Sequence, residues 1–359
     1  MSGHSGRDMS RALQVDDSEA PLLLCRLQSG RALVEALTSL QAAASPCSDL
    51  VLVVVPRNRN GLRFVIQEFG YFQACVTLPR ELFTAFECRT SGESAEETAF
   101  QVPRTELLTS LRLLISSVGQ AEKSALFAPL RLLYRSRASP LQLLLQSDST
   151  SYLECEVQTL ADVPIYDFGF LQVPVYNDAV ISGRLLATCF AELEYAGARS
   201  ALITMMPYPR QGLRLEAVGD ATGAHLTIEV PHSTAEDDSA IEPSTFLEFE
   251  SIQEQCVSYS VHLLKRCLKA LQSADIVRIR MNANDVLHLT ARMPLSPGLG
   301  SKHSSSRGAH AVLEAALAVV EGASYSSESC FFEFLVAPAV VNNAQSDSSV
   351  AAHGGLPAY

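Results

Sequence analysis

Several features that would assign a simple function class are missing from this chain. Its start, MSGHSGRDMSRALQVDD, carries no apolar run of the kind that makes a signal peptide, which argues against secretion. No segment approaches the ~20 apolar residues needed to cross a bilayer; LVLVVV at Leu50–Val55 is strand-sized and stops at Pro56. No membrane partner is therefore expected. Nine cysteines are scattered without one CxxC pair, and an odd, dispersed set without a secretion signal reads as reduced intracellular thiols, mostly small core residues. The eight histidines form no HxxxH or HExxH arrangement, so no metal and no other cofactor is expected. Asp167-Phe168-Gly169 copies a kinase triplet, but no Gly-rich loop, strand lysine or His-Arg-Asp stretch accompanies it,. Gly298-Leu-Gly-Ser-Lys302 lacks the Gly-Lys-Ser/Thr order of a phosphate loop,. A basic localisation run is absent too, so composition leaves cytosol and nucleus undivided.

The 359 residues, 47% hydrophobic and 18% charged, describe a folded protein with ample length for two domains or one large one. A formal net charge of −12 argues against a protein that coats nucleic acid with its whole surface. Any such contact has to be local. One acidic-chain anomaly points to where: SVHLLKRCLKALQ, Ser260 to Gln272, gathers three cations. At roughly 100° per residue of helix, Val261, Leu264, Leu268 and Leu271 fall on one side. His262, Lys265, Arg266, Lys269 and Ser273 fall on the other. A solvated face over an apolar underside is the ordinary reading; a surface that meets something negative is the sharper one.

The chain also repeats itself once. SGRALVEALTSL (Ser29–Leu40) returns as SGRLLATCFAEL (Ser182–Leu193), each opening with a Ser or Gly able to cap a helix,. GLRFVIQEFGYFQACVTLP from Gly61 returns as GLRLEAVGDATGAHLTIEVP from Gly212, each a hairpin pattern that follows turn residues and ends at proline,. A second helix follows in each half, PRTELLTSLRLLISSVG from Pro103 and the Lys265 segment, and then more strands. The matching blocks lie roughly 150 residues apart, too far for a solenoid and right for a duplicated domain. Few helices among many strands predict an α+β fold with antiparallel sheet. Each helix has a packed face and a polar face. Leu33, Val34, Leu37 and Leu40 oppose Arg31, Glu35 and Thr38, and Leu107, Leu108, Leu111, Leu114 and Ile115 oppose Thr105, Thr109, Arg112 and Ser116. In the third helix Leu186, Phe190 and Leu193 oppose Arg184, Thr188 and Tyr195. Arg31 and Arg184 hold matching places in the two repeats. The expected organisation is a flexible start (1–20), a first domain (21–157), a connector (158–179), a second domain (180–338) with a Gly/Ser-rich insertion at 296–329, and a flexible tail (339–359).

This order of elements resembles a DNA sliding clamp: two tandem similar domains, antiparallel sheets outside and helices lining the inner face. GLRFVIQEFGYFQACVTLPRELFTAFECRT, LRLLYRSRASPLQLLLQSD, YSVHLLKRCLKALQSADIVRIRMNANDVLHLTARM and FFEFLVAP are together similar to the Rad-one subunit family of the heterotrimeric DNA-damage checkpoint clamp, the nine-one-one complex. The likeness spans most of Leu22–Pro338. It implies a nuclear, non-enzymatic subunit of a heterotrimeric ring with Rad-nine-type and Hus-one-type partners. Such a ring encircles double-stranded DNA without reading sequence, is opened by a clamp loader, and serves as a platform for checkpoint and repair factors. Arg31, Arg112, Arg184, Lys265, Arg266 and Lys269 are then the candidate DNA-facing residues. By position, Tyr152, Leu153, Glu154 and Cys155 of one strand and His225, Leu226, Thr227 and Ile228 of another are candidates for the subunit interface. A partner groove is expected beside the connector, around Tyr166–Tyr176. The alternatives are a homotrimeric replication clamp and a 3′–5′ DNA exonuclease, for which Asp16–Asp17 and Asp237–Asp238 are the carboxylates available by type.

Overall fold

The computed structural model describes residues 20–45, 48–56, 60–68, 70–89, 98–118, 129–146, 152–161, 163–220, 223–232, 245–295 and 329–339. The first half runs β1 (Leu23–Leu27), α1 (Gly30–Ala42), β2 (Leu50–Val55), β3 (Gly61–Glu68), β4 (Phe72–Pro79), β5 (Phe83–Cys88), β6 (Thr98–Pro103), α2 (Arg104–Val118), β7 (Leu130–Tyr134), β8 (Leu141–Gln146) and β9 (Tyr152–Val157). The second half repeats that order as β10 (Val175–Ser182), α3 (Gly183–Tyr195), β11 (Ser200–Met206), β12 (Gly212–Val218), β13 (His225–Pro231), β14 (Phe246–Ser251), β15 (Gln255–Ser260), α4 (Val261–Ser273), β16 (Ile276–Asn282), β17 (Leu287–Pro294) and β18 (Ser329–Val336). The fold is α+β, as expected. One boundary moves: Val175–Ala179, expected in the connector, lie in β10, a strand paired on both sides. Most of the expected insertion (296–328), the start (1–19), the tail (340–359) and both Asp pairs lie outside the described residues.

All described strand pairs are antiparallel and form three sheets, β5-β1-β7-β8-β9, β13-β12-β11-β15 and β14-β10-β16-β17-β18-β4-β3-β2-β6. The nine-stranded sheet joins the two halves, because β18 of the second pairs with β4 of the first from Phe331↔Thr77 to Val336↔Phe72. Period-two burial places Phe332, Phe334 and Val336 inward with no exposed surface, where they pack in one core with the apolar faces of all four helices,. The run LVLVVV is buried on both faces for a local reason. Val51, Val53 and Val55 join that core, while Leu52 and Val54 form a second, small cluster with Val65 and Cys75 on the outer face, against Ile165 of the connector.

The connector is pinned across the outer face of that sheet. Gln67 donates to the Pro164 carbonyl at 3.0 Å and accepts from the Tyr166 amide at 2.9 Å. Gln73 donates to the Tyr166 carbonyl at 3.1 Å, and Asn282 to the Phe170 carbonyl at 3.2 Å. The Asp167-Phe168-Gly169 triplet is one of its turns: Asp167 accepts from the Gly169 amide at 2.7 Å and from Gln172 at 2.8 Å, with Gly169 at φ 62°,. Beneath Phe170 lies a polar row. Arg278 donates to Asp178 at 2.8 Å, Arg280 to His288 Nδ1 at 2.8 Å, and Arg63 pairs with Glu333. Burial, with the Arg280 charge beside it, pushes the His288 imidazole down to about 4, so it is neutral and its Nδ1 accepts,.

The repeated Ser-Gly-Arg has a packing explanation. Ser29 caps α1, accepting from the Arg31 amide, and Ser182 sits at the same place before α3,. The glycine that follows is buried in both. A Cβ on Gly183 would lie 2.6 Å from the Ala274 carbonyl and 2.7 Å from that of Leu271, so α3 starts hard against the end of α4. At Gly30 the neighbours are the Ile115 and Leu130 side chains, at 3.3 and 3.4 Å. Five of the eight described cysteines are buried, and all eight are free thiols.

Candidate nucleic-acid interface and subunit edges

The helices form one layer. α1 packs on α2, α3 on α4, and α1 meets α4 across the junction between the halves. Each buries its apolar stripe against the sheets and turns its polar stripe outward, so the expected cations share one side of the molecule with one exception. Arg31, Arg112, Arg184, Lys265 and Lys269 are exposed. Arg31 is held by Glu35 at 2.9 Å, Lys265 is paired with Glu194, and Arg112 donates to Thr38 at 3.1 Å, tying α2 to α1. Arg184 and Lys269 have no carboxylate partner within 4.0 Å among the described residues. Outward Glu35, Glu106, Glu192 and Glu194 on the same helices leave the layer only faintly cationic. A cleft of about 380 Å³ opens where the end of α1 faces α4, lined by Ala42, Ala44, His262, Lys265, Lys269 and Gln272 among others.

Arg266 is the exception and corrects the sequence expectation. It is buried, at 6% exposure, and points into the junction between the halves. Its Nε donates to the Ala43 carbonyl at 2.6 Å, its Nη1 to Glu68 at 2.8 Å, and its guanidinium lies 4.0 Å from the centre of the Phe72 ring. The 100° arithmetic puts Arg266 beside Ser273 on the exposed side, yet its other neighbour on the helix surface is buried Ala270. What α1, β3 and β4 bring to that flank decides the matter, and nothing local to α4 reveals it.

The two strands expected at the subunit interface are both terminal in their sheets. β9 ends the five-stranded sheet and β13 the four-stranded one. Their burial alternates identically: Tyr152, Glu154 and Glu156 are exposed, as are His225, Thr227 and Glu229, while Leu153, Cys155, Leu226 and Ile228 are half-buried against the core. Each therefore presents an open ladder of backbone groups and an incompletely covered apolar row. Beside the connector, Tyr166 and Phe168 pack edge to face at 4.9 Å; Phe170 is buried while Leu171 is 74% exposed. Gly-Leu-Arg stands at the head of both hairpins, at 61–63 and 212–214, and its arginine is ion-paired in each, Arg63 with Glu333 and Arg214 with Glu229.

Comparisons with known proteins agree with this architecture. Among solved structures, the chain is similar to a proliferating cellular nuclear antigen from Entamoeba histolytica, with a TM-score of 0.57 and 10% identity over 89% of this chain and 100% of that one. It is similar also to a chain of the PCNA2-PCNA3 complex from Sulfolobus tokodaii, with a TM-score of 0.56 and 14% identity over 88% of this chain and 98% of that one. The fold is thus that of the sliding clamps. A curated relative, DNA repair protein Rad1 of Drosophila melanogaster, is 27% identical over 257 residues, 70% of this chain and 83% of the relative. The family model described as repair protein Rad1/Rec1/Rad17 matches residues 25–293, and with three quarters of its length inside that match the chain belongs to the Rad1/Rec1/Rad17 family of repair proteins.

Proposed function

We propose that this chain is one third of a heterotrimeric ring that encircles double-stranded DNA at damage sites in the nucleus and serves as a platform for checkpoint and repair factors. One observation carries the reading. The second half is joined to the first by β18 on β4, and the duplication makes β9 the counterpart of β18 and β13 the counterpart of β4. The chain closes one such joint internally and keeps one half of the joint free at each end. Subunits of this fold added head to tail through those ends repeat the same joint, and a ring results if the rotation closes. In that ring the helical layer faces the hole. Ring binding needs no base readout, only a lining that tolerates phosphate; a faintly cationic layer on a chain of net charge −12 meets that need without fixing the ring in place.

The partners in this reading are Rad-nine-type and Hus-one-type subunits, with a clamp loader to open the ring. Co-expression of the three should give a 1:1:1 complex, measured by light scattering, which is retained on nicked circular DNA after loading and slides off when the circle is cut. A stable trimer of this chain alone would replace the reading with a homotrimeric replication clamp. We propose further that the chain works without catalysis. Metal-dependent degradation of DNA that disappears on Asp237→Ala would restore the exonuclease alternative.

A further inference from the structure

The joint inside the chain specifies, residue by residue, what the two free edges should receive. Antiparallel register fixes the correspondence. Gly61 pairs with Pro79 and Gly212 with Pro231, so Arg63 matches Arg214, Thr77 matches Glu229, Cys75 matches Thr227 and Gln73 matches His225. Leu141 pairs with Val157 and Leu287 with Val336, so Phe331 matches Tyr152, Glu333 matches Glu154 and Leu335 matches Glu156. Burial supports both alignments: Leu153 and Cys155 fall where Phe332 and Phe334 are buried, and Leu226 and Ile228 where Ala74 and Val76 are.

In the closed joint Glu333 lies opposite Cys75, and Arg63 on the next strand reaches across Cys75 to pair with Glu333. It is the one ion pair between β3 and β18 among the described residues. The two residues that make it reappear at the two free ends of the molecule. Arg214 stands behind the β13 edge, with Thr227 where Cys75 would be, and Glu154 stands exposed on the β9 edge. Arg214 is turned meanwhile to Glu229 on its own hairpin, Nε to Oε1 at 3.0 Å. Exposed Glu229 has at its counterpart position the neutral Thr77.

Resting on the clamp reading above, we propose that Arg214 and Glu154 are the two halves of an intersubunit latch. The clamp subunit that docks on β13 presents an acid opposite Thr227, and Arg214 leaves Glu229 to take it. The subunit that docks on β9 presents, behind its own edge strand, an arginine that takes Glu154. The partner on each side is therefore defined by one charge at one register position. The apolar row of Leu153 and Cys155, or of Leu226 and Ile228, supplies the sequence-blind part of the contact, and the latch sets the register and rejects an edge of the wrong charge.

The test uses the full-length chain co-expressed with its two clamp subunits and follows assembly by size exclusion and light scattering. Arg214→Glu should weaken binding on the β13 side by about tenfold or more, because a like charge replaces the pair, and leave a complex of this chain with the subunit on its β9 side. Glu154→Arg should do the reverse. Arginine placed at the acid opposite Thr227 in the partner should restore the Arg214→Glu complex. If the wild-type chain forms the ring and both variants assemble equally well, the latch is wrong and the clamp reading stands. If wild-type subunits do not assemble at all, the clamp reading itself fails. If the Arg214→Glu/Glu154→Arg double variant and the wild type each associate with themselves while the single variants do not, the latch joins copies of this chain and the heteromeric partner assignment is overturned.

Discussion

Arg266 of α4 and Glu68 of β3 come from opposite halves of the chain and meet at 2.8 Å, with the arginine also bonded to the carbonyl of Ala43, the residue that caps the C-terminal end of α1, and stacked over Phe72. A cation that helical arithmetic places on the solvent side is thus a tie between the two halves of the chain. Arg266→Ala leaves Glu68 without its partner and opens a void against Phe72. The loss for a wholly buried pair is roughly 3–5 kcal/mol; Glu68 is a third exposed, so about 2–3 kcal/mol is expected here. Urea titration should show a lower midpoint for Arg266→Ala and an intermediate one for Arg266→Lys, which keeps the charge but not the fork. An Arg266→Ala variant as stable as wild type would show that the guanidinium adds nothing to a junction already held by β18 on β4 and by α1 against α4.

The same residue marks the border of what the sequence reveals. Duplication, hairpins ending at Pro79 and Pro231, and the apolar stripes of the helices are local patterns, and the structure reproduces them. The pairing of β18 with β4, and with it the closed joint, unites residues more than 250 positions apart, and no periodicity announces it. Arg63 and Arg214 were legible as repeated letters, but their use depends on which strand lies two places over. Arg266 failed for the same reason: its surroundings belong to the other half.

The two glycines that open α1 and α3 should respond unequally. At Gly183 a methyl group meets backbone carbonyls of α4 at 2.6 and 2.7 Å, and only a shift of the whole helix relieves it. At Gly30 the contacts are side chains at 3.3–3.4 Å, which adjust by small rotations. Gly183→Ala should cost about 2–3 kcal/mol, and Gly30→Ala less than about 1 kcal/mol. Thermal or chemical denaturation of the two variants side by side checks this, and equal losses would contradict the close approach at α4.

Neutral His288 makes the fold sensitive to acid above the range where carboxylates titrate. Its folded value is about 4, below the ordinary 6.5, so the unfolded chain takes up the proton first as pH falls. The stabilisation is fully present above pH 6.5 and is lost progressively as pH drops towards 4,. By pH 5 the loss amounts to about 2 kcal/mol. Unfolding free energies of wild type and His288→Gln, measured from pH 7.5 to 5, should converge as the pH falls, since the variant has no imidazole to charge. Parallel curves would mean that His288 takes up its proton as readily in the folded protein as in the unfolded chain, and that its burial beside Arg280 does not hold it neutral,.

The outward cations should matter to DNA and not to the fold. Arg184 and Lys269 have no carboxylate partner among the described residues, whereas Lys265 is paired with Glu194 and Arg31 with Glu35. A phosphate near Lys265 or Arg31 has to compete with a carboxylate already in place, so these two should contribute less than the first two. In the assembled ring on DNA, each of Arg184→Ala and Lys269→Ala should weaken binding modestly. Each should also lower the slope of log affinity against log salt by about 1 where a full phosphate contact is lost. Arg31→Ala should change the slope by less, and Arg266→Ala by nothing, because a buried guanidinium releases no counterion. A slope change on Arg266→Ala equal to that on Lys269→Ala would mean the arginine leaves Glu68 when DNA is present, and the tie between the two halves would then be a switch.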